Sequence, residues 1–336
     1  MTSVGDSARQ RQRRWEDWLA LRQEPVLDPE TPIVDPHHHL WDRGSHTYLP
    51  AQFAQDAAGH KLHASVYVEC LSHYYDGGLE SLRPAGETAY VATLVQAAGT
   101  GIATGILAYA DLSLGDAVEA VLDAHTAVAA GRLRGVRYST AWDADPSIHA
   151  SYPTRPGMLL AASVQAGARK LALHGLVLDV WVYFHQLGEV AALAKACPGL
   201  TIVVDHAGGP VGIGGYAGRR DEVFTQWRTA LQALGSLPNV RLKLGGLAMP
   251  LSGFAWRKLE QPPSSGALAR AWHPYFEACL EIFGPERCMF ESNFPVDRSG
   301  CTYTSLWNAF KRLAAPMAPT ERQALLSATA LKVYRL

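Results

Sequence analysis

The chain has 336 residues, of which 48% are hydrophobic and 18% are charged, and its formal net charge is -1. This length allows a large core in one big domain or two small ones, and the balanced charge gives no electrostatic case for nucleic acid or an anionic membrane as a partner. Five scattered cysteines without a C-x-x-C pattern predict reduced thiols in a cytoplasmic protein, and no apolar run approaches the length of a transmembrane helix.

The N-terminal segment, residues 1–30, is predicted to form an arm outside the main domain. It is rich in arginine, but no apolar region follows, so the pattern does not predict a secretory signal. Trp15, Trp18, Leu19 and Leu21 indicate a short amphipathic helix within the arm. We expect this helix to pack on the main domain or on the second subunit of a homodimer.

Residues 31–336 alternate between strand-like and helix-like segments. This alternation predicts a parallel sheet, and eight repeats favour a closed (β/α)8 TIM barrel over the alternative, an open doubly wound sheet. The segments 207–218 and 250–266 are expected to be long loops at the C-terminal face of the barrel. The eight apolar runs that we interpret as strands are 33–39, 64–70, 104–111, 133–138, 176–184, 201–206, 240–245 and 287–293.

The first predicted strand ends in the triplet His37, His38 and His39. Side chains alternate faces along a strand, so His37 and His39 are predicted to share one face, where they could hold a metal ion or orient a water molecule. Polar residues end the other strands as well, which predicts a shared site at the C-terminal face because an unpaired buried charge is costly. These residues are Glu69, Asp111, Arg137, Asp179, Tyr183, His185, Asp205, His206, Lys243, Glu291, Asn293 and Asp297.

Four short motifs, taken together, resemble the amidohydrolase superfamily. They are the segments 37–42 (HHHLWD), 134–137 (RGVR), 205–210 (DHAGGP) and 291–297 (ESNFPVD). The resemblance is to the branch that contains 2-pyrone-4,6-dicarboxylate lactonase and the sugar lactonases, and each motif occurs at its expected strand. It implies a TIM-barrel hydrolase in which water attacks a carbonyl group.

The resemblance also implies roles for individual residues. His37, His39 and His206 take the positions of the histidines that bind or polarise the carbonyl and the water. Asn293 stands where the family usually has an aspartate that ligates the metal or deprotonates the attacking water, and an amide cannot accept that proton. Asp297 is the nearest substitute, and the general base is predicted to be Asp297 or another strand-end carboxylate, with Glu69 and Asp111 as further candidates.

The sequence leaves two hypotheses about metal open. His37, His39 and His206 could form a catalytic zinc site with one open position. The two-metal form of the superfamily uses a carboxylated lysine on strand four, but this strand has Arg134 and Arg137 and no lysine, which disfavours two metals. Asn293 makes a metal-free site equally acceptable, as in some lactonases of this branch. We therefore expect one Zn²⁺ or none, and no organic cofactor.

The substrate is predicted to be a small cyclic ester that carries a carboxylate or hydroxyl groups. Arg137 and Lys243, both expected at the barrel mouth, suit a carboxylate or a developing oxyanion, with Lys243 in the catalytic role. The alternative is that each pairs with a neighbouring acid, such as Glu69 or Asp111. Other predicted substrate-binding residues are Glu69, Trp41, Tyr183 and His185.

Three rival functions remain on the same barrel. A zinc-dependent nonoxidative decarboxylase would use the same histidines, although Asn293 weakens that hypothesis. A cyclic amide hydrolase is a further variant of the same chemistry. A binding protein without catalytic activity is a third alternative, because the usual base position is substituted. The sequence does not determine the natural substrate, the ring size or the oligomeric state.

Overall fold

The computed structural model describes residues 4–44, 46–96 and 101–336 of this chain. Eight parallel strands form one sheet in which neighbours in the sheet are neighbours in the sequence. Every interval predicted to be a strand overlaps one of the eight. The barrel strands are β1 (Pro32–His38), β2 (Lys61–Val68), β3 (Gly105–Ala108), β4 (Leu133–Ser139), β5 (Val177–Trp181), β6 (Ile202–Val204), β7 (Val240–Leu244) and β8 (Cys288–Phe290).

The sheet closes where the segment after β8 meets the end of β1. His38 forms a parallel bridge with Phe294. The amide of His39 donates to the carbonyl of Phe294 (2.7 Å), and the amide of Asn293 donates to the carbonyl of His37 (2.8 Å). The predicted (β/α)8 TIM barrel is therefore confirmed, and its closure brings the first and the last predicted motifs side by side.

Helices cover the outside of the barrel, and one helix precedes it. The N-terminal helix α1 contributes buried Trp15 and Leu19, and the indole of Trp18 donates to the carbonyl of Leu259 (2.9 Å). None of the helices in the described ranges is both long and apolar enough to span a bilayer. The helices are α1 (Val4–Ala20), α2 (Pro50–Asp56), α3 (Ala85–Gln96), α4 (Val118–Val128), α5 (Ala162–Leu173), α6 (Leu187–Ala196), α7 (Arg220–Gly235), α8 (Ser265–Phe283), α9 (Tyr303–Ala314), α10 (Pro319–Gln323) and α11 (Thr329–Tyr334).

The interior of the barrel has an apolar lower layer and a polar upper layer. Inward-facing residues such as Val34, Val66, Val203 and Met289 form the lower layer, which packs against Tyr334 of helix α11. The polar residues lie nearer the C-terminal ends of the same strands. This division follows from the sequence, because the small apolar residues precede the charged ones along β5, β6 and β8.

Long loops follow β6 and β7, as the sequence predicted. The amide of Gly212 in the first loop donates to the carbonyl of Leu251 in the second (2.8 Å). The two loops therefore support each other at the C-terminal face of the barrel, where the site lies.

Candidate active site

Two histidine rings at the end of β1 point into the barrel, as their spacing predicted. The Nε2 atoms of His37 and His39 are 3.3 Å apart, and Nδ1 of His39 contacts the carbonyl of Val68 (2.8 Å). His38 points outwards, where its Nε2 lies 3.0 Å from the hydroxyl of Ser65. Because the carbonyl of Val68 can only accept, His39 carries its proton on Nδ1 and presents a lone pair at Nε2.

His206, which follows β6, brings a third imidazole to the same cavity. Its ring centroid is 4.6 Å from that of His37. Its backbone has φ +54°, an unusual conformation for a non-glycine residue and one that often occurs at functional sites. Gly246 makes room for the ring, since a Cβ there would lie 2.5 Å from Cβ of His206. The histidines that follow β1 and β6 therefore lie in the same cavity.

Glu291, one of the strand-end polar residues for which the sequence predicted no particular role, links two of the three histidines. Its Oε1 accepts from the backbone amide of His206 (2.9 Å) and contacts Nδ1 of the same ring (2.8 Å). Its Oε2 lies 2.9 Å from Nδ1 of His37. The signal in the sequence was its position directly after β8, at the C-terminal end where the polar residues collect.

The contact between Glu291 and His206 shifts the pKa of both side chains. Burial alone would raise the pKa of Glu291, but the neighbouring His206 and His37 hold this pKa below its ordinary value. Burial lowers the pKa of His206, but the Glu291 carboxylate outweighs this effect and raises that pKa above its ordinary value. His206 therefore directs Nδ1 to the carboxylate and leaves Nε2 for a ligand or substrate.

Asn293 and Asp297 form the next part of the site. Oδ1 of Asn293 lies 3.3 Å from Nε2 of His39, and its Nδ2 donates to Oδ1 of Asp297 (3.1 Å). The amide of Ala248 donates to Oδ2 of Asp297 (3.3 Å). Burial raises the pKa of Asp297 to about 7, so this carboxyl group exchanges a proton near neutral pH.

The expectation that Lys243 faces the barrel mouth is wrong. Its side chain is fully buried inside the barrel, with Nζ 2.5 Å from Oδ2 of Asp179 and 3.1 Å from Oδ1 of Asp205. The hydroxyl of Tyr334 donates to the same Asp179 (2.8 Å). The alternative, pairing with neighbouring acids, is what the structure shows, although the acids are not the two that the sequence suggested.

Arg137 likewise pairs with an acid, and here the acid is the predicted one. Its Nε lies 2.7 Å from Oε1 of Glu69, and both side chains are buried. Tyr152, on the loop after β4, donates its hydroxyl to Glu69 and lies 3.2 Å from Nη2 of Arg137. Sequence reasoning missed Tyr152, because a residue in the middle of a loop carries no periodic signal. The charge of Arg137 is largely balanced before any substrate binds.

The structure separates the remaining predicted substrate-binding residues. Trp41 stacks beside His39, with ring centroids 6.1 Å apart. Tyr183 is buried and donates to the carbonyl of His149, whereas His185 pairs with Asp143 in the surrounding loops (2.8 Å). Trp181, at the end of β5, packs edge-on against His206 with centroids 4.6 Å apart. Two tryptophans therefore flank the imidazoles.

The residues present fit a single cation. His37, Asp205 and His206 bring ligand atoms within 4.8 Å of one another. Both oxygens of Asp205 are buried; Oδ1 lies 3.1 Å from Nζ of Lys243, whereas Oδ2 has no hydrogen-bond partner among the described residues. Despite burial, the charge of Lys243 and the contact with His37 hold the pKa of Asp205 well below its ordinary value, so this carboxylate is ionised. Asp205 was missed as a candidate ligand.

The fold and the site together define a class of protein. Imidazoles and carboxylates from separate strands converge at the C-terminal face of a (β/α)8 barrel, which is the location of active sites in TIM-barrel enzymes. The family described as amidohydrolase matches residues 34–336, and the chain belongs to this family.

Relatives and solved structures agree with this assignment. An uncharacterised protein, y4mH of Sinorhizobium fredii, is 30% identical over 90% of this chain and 98% of its own length. An L-fucono-1,5-lactonase of Burkholderia multivorans is 26% identical over 90% of this chain and 96% of its own. A crystal structure of an amidohydrolase from Burkholderia multivorans with bound zinc has a TM-score of 0.70 at 25% identity, and the match covers 91% of this chain and 100% of that one.

Proposed function

We propose that this amidohydrolase is a lactonase that adds water to the carbonyl carbon of a cyclic ester. The observation that carries the proposal is the convergence of three imidazoles and a buried carboxyl group at one end of the barrel. His37 and His206 have ring centroids 4.6 Å apart, and the pKa of Asp297 is raised by burial to about 7. Ester hydrolysis needs this set, namely groups that polarise a carbonyl and a base that is active near neutral pH.

In the proposed reaction, Asp297 takes a proton from the attacking water while the imidazoles orient the water and the carbonyl. The amide of Asn293 holds Asp297 in place by donating to its Oδ1 (3.1 Å). In the metal-free site, His206, whose Nδ1 is held by Glu291, then gives a proton from Nε2 to the ring oxygen that leaves. If His37, Asp205 and His206 held zinc instead, the metal would supply a Lewis acid for the carbonyl oxygen, and His206 would be a ligand and not the acid.

The charge balance of the site favours a hydroxylated lactone over one that carries several carboxylates. Arg137 is already paired with Glu69 (2.7 Å), and Lys243 is paired with Asp179 (2.5 Å). Neither residue offers an unpaired positive charge to a substrate carboxylate. The relative that is named for a sugar lactone, at 26% identity, supports the same substrate class.

A panel of lactones tests this proposal. We would follow acid release with a pH indicator on sugar-derived 1,4- and 1,5-lactones, 2-pyrone-4,6-dicarboxylate and a cyclic amide, with His206→Ala as the matched control. We expect turnover of at least one hydroxylated lactone, and a loss of about 10²–10⁴-fold in His206→Ala with an unchanged circular dichroism spectrum.

Two outcomes would contradict the proposal. A loss below tenfold in His206→Ala would remove this histidine from the mechanism. Tight binding of one lactone without turnover of any member of the panel would instead indicate a binding protein.

A further inference from the structure

A group of basic side chains lies at the N-terminal face of the barrel, opposite the histidine site. Arg134 lies at the start of β4, Arg241 at the start of β7 and Arg287 directly before β8. Lys332 lies on α11, and Arg335 directly follows that helix. We call these five residues the basic cluster. Because the whole chain has 30 basic and 31 acidic residues, the cluster departs locally from an even balance of charge.

The members of the basic cluster lie close to one another. Arg241, Lys332 and Arg335 line one cavity of about 270 Å³ between the starts of β5, β6 and β7 and helix α11. Burial lowers the pKa of Arg134, and the charge of Arg335 lowers it further. Burial and then the charge of Arg287 lower the pKa of Arg241 in the same way. The cavity is therefore surrounded by like charges that act on each other.

The basic cluster has no acid at contact distance to balance it. Within the described ranges, no carboxylate oxygen lies within 4.0 Å of a basic nitrogen of any of the five residues. Exposed arginines elsewhere do pair, as Arg228 does with Glu281 (2.7 Å). One acid, Glu286, lines the cavity, but its side chain is exposed and makes no such contact. Because like charges repel each other and attract counter-ions, the cluster favours an anion in this cavity.

Main-chain carbonyl groups hold two of the guanidinium groups in place. Nη1 of Arg241 donates to the carbonyls of Pro238 (2.7 Å) and Val240 (3.0 Å). Nη1 of Arg134 likewise donates to two carbonyls of its own chain segment (2.8 and 3.0 Å). Nε of Arg134 is buried and has no hydrogen-bond partner among the residues that the structure describes. The cluster is therefore ordered before a ligand binds, and it keeps donors to spare.

We propose that the basic cluster binds a small oxyanion of the phosphate type in the cavity between the sheet and α11, as free phosphate or as the phosphate group of a small phosphomonoester. Guanidinium groups form paired, charge-assisted hydrogen bonds to phosphate oxygens, and Lys332 adds a compact positive charge. The volume of about 270 Å³ is below that of pockets for drug-sized ligands, so it suits phosphate with a few attached carbon atoms. The bound anion would connect α11 to the strands.

Calorimetric titration of the full-length protein with inorganic phosphate and with glycerol 3-phosphate tests this proposal. Potassium chloride keeps the ionic strength constant, so that general screening does not differ between samples. We expect saturable binding of at least one probe and a higher midpoint of thermal unfolding with that probe than with chloride, because a ligand of the folded state stabilises it. Binding of phosphate alone assigns the site to the free ion, and binding of glycerol 3-phosphate assigns it to a phosphomonoester.

Two matched double variants locate the binding. Lys332→Gln with Arg335→Gln removes two exposed cations of the basic cluster, and Arg257→Gln with Lys258→Gln removes the same two residue types from an exposed loop at the opposite face. We expect the first double variant to bind the probe about tenfold more weakly, through the loss of charge-assisted hydrogen bonds, and the second to bind it as the unmodified protein does. Circular dichroism confirms that both variants are folded.

Glu286→Gln gives a change in the opposite direction. It removes the negative charge from the lining of the cavity, so the probe should bind about threefold more tightly. Glu260→Gln, at an exposed residue of the opposite face, is the control and should leave the affinity unchanged. General loosening of the fold would not tighten binding, so this variant separates a binding site from a structural effect.

The inference fails if neither probe produces a heat of binding and neither changes the midpoint of unfolding relative to chloride at equal ionic strength. It also fails if the two double variants bind the probe equally well, because the anion would then have no preference for the basic cluster. The proposal does not depend on the lactonase reaction, and its readouts involve neither a lactone nor zinc. Failure of the lactone panel and failure of this inference can therefore be told apart.

Discussion

Asn293 is the residue at which this site departs most clearly from the family pattern described above. Its amide cannot take a proton, but its Nδ2 donates to Asp297 (3.1 Å) and its Oδ1 faces Nε2 of His39 (3.3 Å). The residue therefore orients the carboxylate instead of replacing it. In the reaction that we propose, the role of general base passes four positions along the chain to Asp297, whose pKa is raised by burial to about 7.

The first prediction at this scale concerns the pH dependence of turnover. A general base must be ionised, so we expect the rate to fall as the pH falls through about 7, the pKa of Asp297. Asp297→Asn should lower kcat by about 10²–10⁴-fold and remove this acidic limb from the pH–rate profile. A variant that keeps the limb would show that another group is the base.

The second prediction concerns metal content. Asn293→Asp adds a carboxylate beside His39 and Asp297, and a further negative charge favours a cation at the site. We expect zinc affinity to rise by about tenfold, with little change in the midpoint of thermal unfolding. Elemental analysis of both proteins after dialysis against the same zinc solution checks this. Equal zinc content would contradict the role assigned to position 293.

At the scale of elements, helix α1 is the clearest addition to the barrel. Trp15 is buried, with the guanidinium of Arg298 lying 4.8 Å from the centroid of its ring, and the ring of His46 lies beside it. His46 in turn contacts Trp41, which stacks beside His39. The helix is therefore connected to the wall of the site by a row of aromatic rings.

Trp15→Ala should destabilise the fold by removing the anchor of this helix. We expect a loss of about 3 kcal/mol in the free energy of unfolding, as for other buried aromatic residues. Leu21→Ala, at a side chain that is 60% exposed just after the same helix, is the control and should change stability by less than about 0.5 kcal/mol. Urea denaturation of both variants measures the difference, and equal losses would show that α1 is not anchored by Trp15.

At the scale of the whole molecule, several carboxyl groups are buried with too little positive charge to balance them. Glu87 is one of them, and it lies outside the histidine site. Its Oε1 accepts from the hydroxyl of Tyr67 (2.7 Å) and from the amide of Cys70 (2.8 Å). Burial and then the nearby charge of Glu69 raise its pKa from 4.5 to about 7.

This shift predicts how stability changes with pH. Between about pH 4.5 and about pH 7 the unfolded chain releases the proton of Glu87 while the folded protein keeps it, so the contribution of this group to stability falls as the pH rises. Glu87→Gln stays neutral at every pH and should remove that part of the slope. Glu222→Gln, at a half-exposed surface pair, is the control and should leave the slope in this window unchanged. Denaturation curves across this range check the prediction, which an unchanged slope in Glu87→Gln would contradict.

The sequence could predict many of the residues that lie at the site, but not which of these side chains pair with each other. Alternation along β1 was enough to place His37 and His39 on one face, because that rule depends only on local geometry. Glu291 and His206 are 85 residues apart, and no local rule states which acid a given imidazole will meet. For the same reason Lys243 could be identified as an important cation while its buried partners could not, although Glu69 was correctly suggested as a partner for Arg137.

The sequence by itself determined the barrel, the order of its strands and the end at which the polar residues collect. These properties follow from the hydrophobic periodicity and from the number of repeats, and both can be read directly from the sequence. Only the tertiary structure decided that Lys243 lies inside the barrel beneath His37, and that Glu291 joins two histidines. The closure of the sheet brings residues from distant strands within hydrogen-bond reach, and burial then fixes their charge and their partners.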